Sequence, residues 1–146
     1  MGESVDFLKS LDEAMGLSEV DLREYSPLVL AYIGDAIYEL IIRTVLVKKS
    51  HGTVQQLHRR ASALVKASAQ AELIEKIQPF LTEEEQRVYK RGRNAKSYTK
   101  AKNATMIDYR KATGMEALAG YLYLKKDTDR LLELIRMGLK KEQEPG

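Results

Sequence analysis

Residues 28–47, LVLAYIGDAIYELIIRTVLV, are apolar on nearly every side. The run is broken at its centre by Gly34-Asp35 and further on by Glu39 and Arg43. A helix that is apolar all round belongs in the middle of a fold. Ser26-Pro27 suits its start, because Ser can cap and Pro loses nothing at the first helical position. Lys48, Lys49 and Gly52 suit its end, the lysines favourably placed near a helix C-terminus. Before it, Val5, Leu8, Leu11, Ala14 and Met15 recur at helical spacing; Gly16 follows, and Ser18 can cap a short turn through Leu22. After it, Thr53 with Gln56 has the spacing of a capping box. The pattern predicts a helix from there to about Ser68, with Val54, Leu57, Ala61, Leu64 and Val65 inward. Ala71, Leu73, Ile74 and Ile77 continue as helix until Pro79. Thr82 with Glu85 opens a short helix through Lys90 or Arg91.

Residues 91–105, RGRNAKSYTKAKNAT, then read as a loop, longer than most in a compact domain and of the length that carries function. Met106 to Lys111 is a short helical segment. Thr113-Gly114-Met115-Glu116 opens a second helix that is apolar on all sides, and Thr128 to Leu139 a last amphipathic one with Leu131, Leu132, Leu134, Ile135 and Leu139 inward. No segment alternates with a period of two, and no internal repeat is present. The expectation is an all-α fold of about six or seven helices, the two around Asp35 and Glu116 central. Residues 1–25 form an N-terminal arm, 26–140 one domain and 141–146 a frayed tail.

A chain of 146 residues buries one good core and not two. The absence of cysteine excludes disulfides and thiolate metal sites and fits a reducing cytoplasm. The first residues lack the blocks of a secretory signal. Residues 28–47 reach the length of a membrane span, about 20 residues, yet Asp35, Glu39 and Arg43 make membrane insertion costly. The net charge is only +3, but its distribution is uneven. From Gln86 to Ile107 there is no acid, while Arg87, Lys90, Arg91, Arg93, Lys96, Lys100 and Lys102 are basic. Residues 50–71 are also free of acid and carry His58, Arg59, Arg60 and Lys66. Setting the first seven aside leaves fewer basic residues than the 21 acidic ones, so one segment carries the positive field. That is the pattern of a local polyanion site.

Two acids stand in the two most apolar helices, each near glycine: Gly34 beside Asp35, Gly114 and Gly120 flanking Glu116. Small residues let helices approach closely, which would bring the carboxylates together. Paired carboxylates are hard oxygen ligands suited to Mg²⁺ or Mn²⁺, and such ions support phosphodiester hydrolysis. Plainer readings compete. Asp35 can lie on a solvated stripe with Glu39 and Arg43, four residues apart. Thr113 and Glu116 have capping-box spacing. The basic loop can be a solvated segment. His58 on a basic face is a surface residue or backbone contact more readily than a metal ligand. No HExxH, Gly-rich phosphate loop or Ser/His/Asp arrangement occurs, so zinc peptidase, NTPase and esterase readings have no support.

At YIGDAIYE, residues 32–39, the chain resembles the ribonuclease III signature, with its Leu-Gly-Asp-Ala core. At MEALAGYLYL, residues 115–124, it resembles that family's second acidic motif. The order and separation of the motifs match, and KRGRNAKS (90–97) with LHRRASALVKASAQAE (57–72) look like Mini-ribonuclease III, the bacterial subgroup without a double-stranded RNA-binding domain. The resemblance implies a homodimeric endoribonuclease that cleaves double-stranded RNA with Mg²⁺ (Mn²⁺ as substitute) held by Asp35 and Glu116. It also implies 23S ribosomal RNA precursor as substrate, with help from a large-subunit ribosomal protein. RNA contacts fall to Lys90, Arg91, Arg93, Asn94, Lys96, Lys100, Lys102, His58, Arg59 and Lys66. Where the larger enzymes carry further acids this chain has Ala31 and Thr113, which implies fewer protein ligands and more water on the metal. The rival is a non-catalytic RNA-binding ribosome-assembly factor on the same fold; retention of both acids speaks for the enzyme.

Overall fold

The computed structural model describes residues 3–95 and 105–139. Among them are seven α-helices and no strand: α1 Glu3–Met15, α2 Pro27–Lys49, α3 Val54–Val65, α4 Ala67–Ile77, α5 Glu83–Asn94, α6 Met106–Leu124 and α7 Thr128–Leu139. No helix among the described residues is long and apolar enough to cross a membrane.

Local chemistry sets most boundaries. Ser26 Oγ accepts from the Val29 N–H and Pro27 holds the first position of α2. Both predicted capping boxes form, Thr53 with Gln56 and Thr82 with Glu85. The 3₁₀ turn Leu22–Glu24 is capped by Asp21, which accepts from the Arg23 N–H, rather than by Ser18; the acid two residues ahead of that N–H is in reach, and its guanidinium partner reinforces the turn. Lys66, in extended conformation, separates α3 from α4, so the helix predicted through Ser68 ends earlier.

Two differences from the sequence reading matter for the site. The segments predicted around Met106–Lys111 and Thr113–Glu116 are one helix, α6. Thr113 lies inside it and donates its hydroxyl to Tyr109 O at 2.9 Å, so Glu116 caps nothing. The helix runs on through Gly114 because the Tyr89 ring and backbone of α5 pack into the space beside it. Further, α5 runs on to Asn94, so Arg91, Arg93 and Asn94 are helical rather than in a loop. The acids Glu83, Glu84 and Glu85 in the first turn of α5 and Arg91 and Arg93 in its last match the helix dipole at each end.

α6 is the centre. Its most extensive contact is with α2, followed by α5 and α4. Gly34 and Gly120 mark the α2–α6 crossing. A methyl at Gly34 would fall on the Glu116 carbonyl oxygen, and one at Gly120 on the Leu30 carbonyl oxygen. Gly114 serves a different neighbour: its missing side chain admits the Tyr89 ring and backbone of α5, opposite Gly92. The core between α2, α4, α6 and α7 holds Tyr38, Ile42, Ile74, Ile77, Met115, Leu118, Leu131 and Leu134, all buried. Val54 and Leu132, expected inward, are exposed. Buried Glu85 takes both Nε and Nη2 of Arg130 at 2.9 Å, and Arg130 also donates to Phe80 O at 2.8 Å. That charge-assisted fork ties α5 and the turn before it to α7.

α2 is not buried all round. Val29, Tyr32, Leu40 and Val47 are exposed, Tyr32 at 81%. They fall on one side of the helix, an exposed face that is apolar from Val29 to Leu40 and is interrupted by exposed Arg43 before Val47.

Candidate active site

Asp35 comes from the middle of α2 and Glu116 from the middle of α6, at the crossing where Gly34 meets the Glu116 backbone. The two carboxyl groups are close enough to share a hydrogen bond when one is protonated. Asp35 is exposed and Glu116 half-buried, so the acid at 35 stands at the rim of the site rather than deep in the apolar helix. It does not join the stripe of Glu39 and Arg43, which pair with each other, Arg43 Nε donating to Glu39 at 3.0 Å.

Gln70, 1% exposed, joins them from the first turn of α4. Its Nε2 donates to Glu116 Oε2 at 3.1 Å and to Val65 O at 2.8 Å. Its Oε1 is buried and has no partner among the described residues. Sequence reading missed this residue, although the signal was present: Gln70 precedes Leu73, Ile74 and Ile77 at three, four and seven residues, a core-facing position. Tyr38, one turn beyond Asp35, donates to Leu64 O at 3.4 Å. Burial and the nearby Glu116 charge push its hydroxyl up to about 12.

Burial pushes the Glu116 carboxyl up to about 7; the Gln70 hydrogen bond opposes this, and Asp35 adds to it by charge and by hydrogen bond. In the unfolded chain the same group titrates near 4.5. The folded protein therefore holds a proton that the unfolded one releases. The resulting stabilisation is complete below about pH 4.5 and is lost as pH rises through about 7, on the order of 3 kcal/mol. Unfolding by urea in the presence of a chelator, from pH 5 to 8, is expected to show this fall in wild type and a flat profile in Glu116→Gln. Parallel profiles would remove Glu116 from the shared proton.

The basic residues divide. Lys90, Arg91 and Asn94 are exposed and line, with Arg87 and Pro27, a cleft of about 440 Å³. Arg93 lies 5.6 Å from the centre of the Tyr89 ring. Gly92 packs on Gly114 and Ala117, so this cationic end of α5 meets α6 at the level of Glu116 but on another face of that helix, roughly 100° or more around from the acid. Lys66, exposed, follows Val65, whose carbonyl is held by Gln70. His58 lies elsewhere, in a groove with Arg43, Leu46 and Val47; Arg43 is two turns and about 12 Å along α2 from Asp35. Arg59 is exposed on the same helix as His58. Lys96, Lys100 and Lys102 lie outside the described residues.

Among the described residues no cluster of three His, Cys, Asp or Glu side chains exists. The donor set is two neighbouring carboxylates, both hard oxygen donors. Such a set fits a Mg²⁺ that keeps most of its water and does not fit a thiolate or imidazole metal.

A helical fold with an acid pair at the crossing of its two central helices and a cationic helix packed on one of them defines a class, and sequence comparison names it. The Ribonuclease III domain profile matches residues 28–127. The chain is 52% identical to Mini-ribonuclease 3 of Clostridium tetani over 80% of its own length and 78% of that protein. It is 50% identical to Mini-ribonuclease 3 of Enterococcus faecalis over 83% of its length and 93% of that protein. A crystal structure of a Fusobacterium nucleatum protein superposes with a TM-score of 0.72 at 34% identity, over 80% of this chain and 93% of that one. The chain belongs to the ribonuclease III family, in its Mini-ribonuclease 3 branch. Its activity is therefore that of an RNA-cleaving endoribonuclease.

Proposed function

We propose that the protein hydrolyses double-stranded RNA with Mg²⁺ (Mn²⁺ as substitute) held by Asp35 and Glu116. The carrying observation is the meeting of these two acids at the α2–α6 crossing; the cationic end of α5 packs on another face of the same α6. A bound divalent ion would activate water and stabilise the charge on the reacting phosphate. The chain's own residues do the rest. Asp35 and Glu116, on helices whose backbones touch, fix the place of hydrolysis. Lys90, Arg91, Arg93 and Asn94 hold phosphates, with Lys66 at the α3–α4 joint and His58 and Arg59 farther along; Lys96, Lys100 and Lys102 extend the same acid-free segment. Duplex RNA is read largely by shape through phosphates and 2′-hydroxyls, so such contacts suffice without base recognition.

The exposed apolar residues Val29, Tyr32, Leu40 and Val47 on one side of α2 support a second copy packed there, since larger exposed apolar areas mark interaction sites. In a homodimer the two sites would address one duplex. The cytoplasmic precursor of 23S ribosomal RNA, presented with a large-subunit ribosomal protein, is the substrate the branch suggests.

The test is cleavage of a duplex and of its separate strands, with Mg²⁺ and with chelator, on protein whose mass is measured by sedimentation. Cutting is expected only for duplex with Mg²⁺, by a species of twice the chain mass. No cutting of any structured ribosomal precursor would favour an RNA-binding assembly factor, and a single-chain mass would remove the dimer.

A further inference from the structure

Gln70 is a polar side chain at a core position, and the structure shows what half of it does. Both hydrogens of Nε2 are used, one on Val65 O and one on Glu116 Oε2. Two acceptors fix the orientation of the amide, because a reversed amide would set its oxygen against two other oxygens. The amide oxygen is then left buried with no partner among the described residues. Leaving such a group unpaired costs about 1–3 kcal/mol, and buried polar atoms are nearly always paired. A brace between α4 and Val65 O accounts for the N–H groups only. It leaves the oxygen unexplained, one amide group away from the Glu116 carboxylate.

We propose that Gln70 is a positioning residue of the acid site, aiming Glu116 at the divalent cation through its amide N–H and offering its amide oxygen to the cation's hydration shell. This rests on the metal reading given above. A Mg²⁺ with few protein ligands keeps several waters, and each of these brings O–H donors that need acceptors. Groups that hydrogen-bond a ligating side chain fix its orientation and affect metal affinity nearly as much as the ligands do. Gln70 meets both needs with one amide: its donor end faces the carboxylate and its acceptor end is free.

The test is Mn²⁺ binding to the full chain without RNA, read from the paramagnetic resonance of free Mn²⁺. Gln70→Met, similar in size and without hydrogen bonds, is expected to bind Mn²⁺ about tenfold more weakly or worse with unchanged helical content. Unchanged Mn²⁺ affinity with altered melting temperature would reduce Gln70 to a brace and overturn the proposal. If Gln70→Met does not fold, the wild-type side-chain amide signal of Gln70 decides. It is expected to move on titration with Mg²⁺, and a signal that stays in place to saturation overturns the proposal. Wild type that binds no Mn²⁺ overturns the metal reading and this inference together, whereas wild type and Gln70→Met that bind alike overturn this inference alone.

Discussion

Asp35→Asn is expected to lower the rate of duplex RNA cleavage by about a thousandfold or more at saturating Mg²⁺, and Glu116→Gln to do the same. A loss of that size corresponds to roughly 4 kcal/mol of transition-state stabilisation, the scale of charge stabilisation by a bound metal. The two amides keep the size and shape of the acids and remove only the charge. At Glu116 the change is mild for the fold, since Gln70 can donate to an amide oxygen as it does to the carboxylate. At Asp35 it is milder still, because the side chain is exposed. Duplex binding should therefore survive in both variants, carried by the basic end of α5. Single-turnover cleavage with binding measured alongside separates the two effects. A variant that cuts at the wild-type rate would take its residue out of the metal site.

Gly34→Ala is expected to destabilise the protein by more than about 4 kcal/mol, a loss found only where one change violates a specific packing rule. Overpacking commonly costs about 1–3 kcal/mol because side chains yield. Here the obstacle is the carbonyl oxygen of Glu116, which is backbone and helical, and cannot turn aside. The two helices must separate, and they form the most extensive contact in the molecule. Activity should fall with stability, since the same separation parts Asp35 from Glu116. Gly120→Ala, which meets the Leu30 carbonyl on the same crossing, should behave alike. Urea unfolding decides the matter: a loss below about 1 kcal/mol in both variants would mean the crossing is looser than described.

The elements most legible in the sequence were those fixed by local chemistry. Ser26-Pro27, Thr53 with Gln56 and Thr82 with Glu85 each state a helix start within four residues, and each start is found. The joining of Asp35 to Glu116 followed from two acids in apolar helices with glycine nearby, and Gly34 and Gly120 are the residues that allow it. What failed were features decided by distant packing. Thr113-Gly114 has the look of a helix start, yet α6 passes through it because Tyr89 of α5 fills the space beside Gly114. Arg91-Gly92-Arg93-Asn94 has the look of a loop, yet Gly92 is seated against Ala117 and the helix continues. α2 was read as buried all round because periodicity measures apolar content and not how many neighbours a single chain supplies. Gln70 was passed over because a lone Gln among alanines has no pattern of its own; only the Glu116 contact gives it meaning.

The burial of α6 has a consequence for how this chain can vary. From Ala112 to Gly120 every residue of α6 except Glu116 is buried, with α2, α4 and α5 all packed on the helix. A helix with an outer face tolerates sequence drift there, one residue at a time. This stretch has no such face, so most changes within it must be matched by a change in a neighbouring helix. Glu116 is the one position where the stretch opens outward, so the residue least constrained by packing is the one assigned to chemistry. New activities on this framework are therefore reachable by exchanging that single side chain and its surroundings, while the frame that aims it stays as it is.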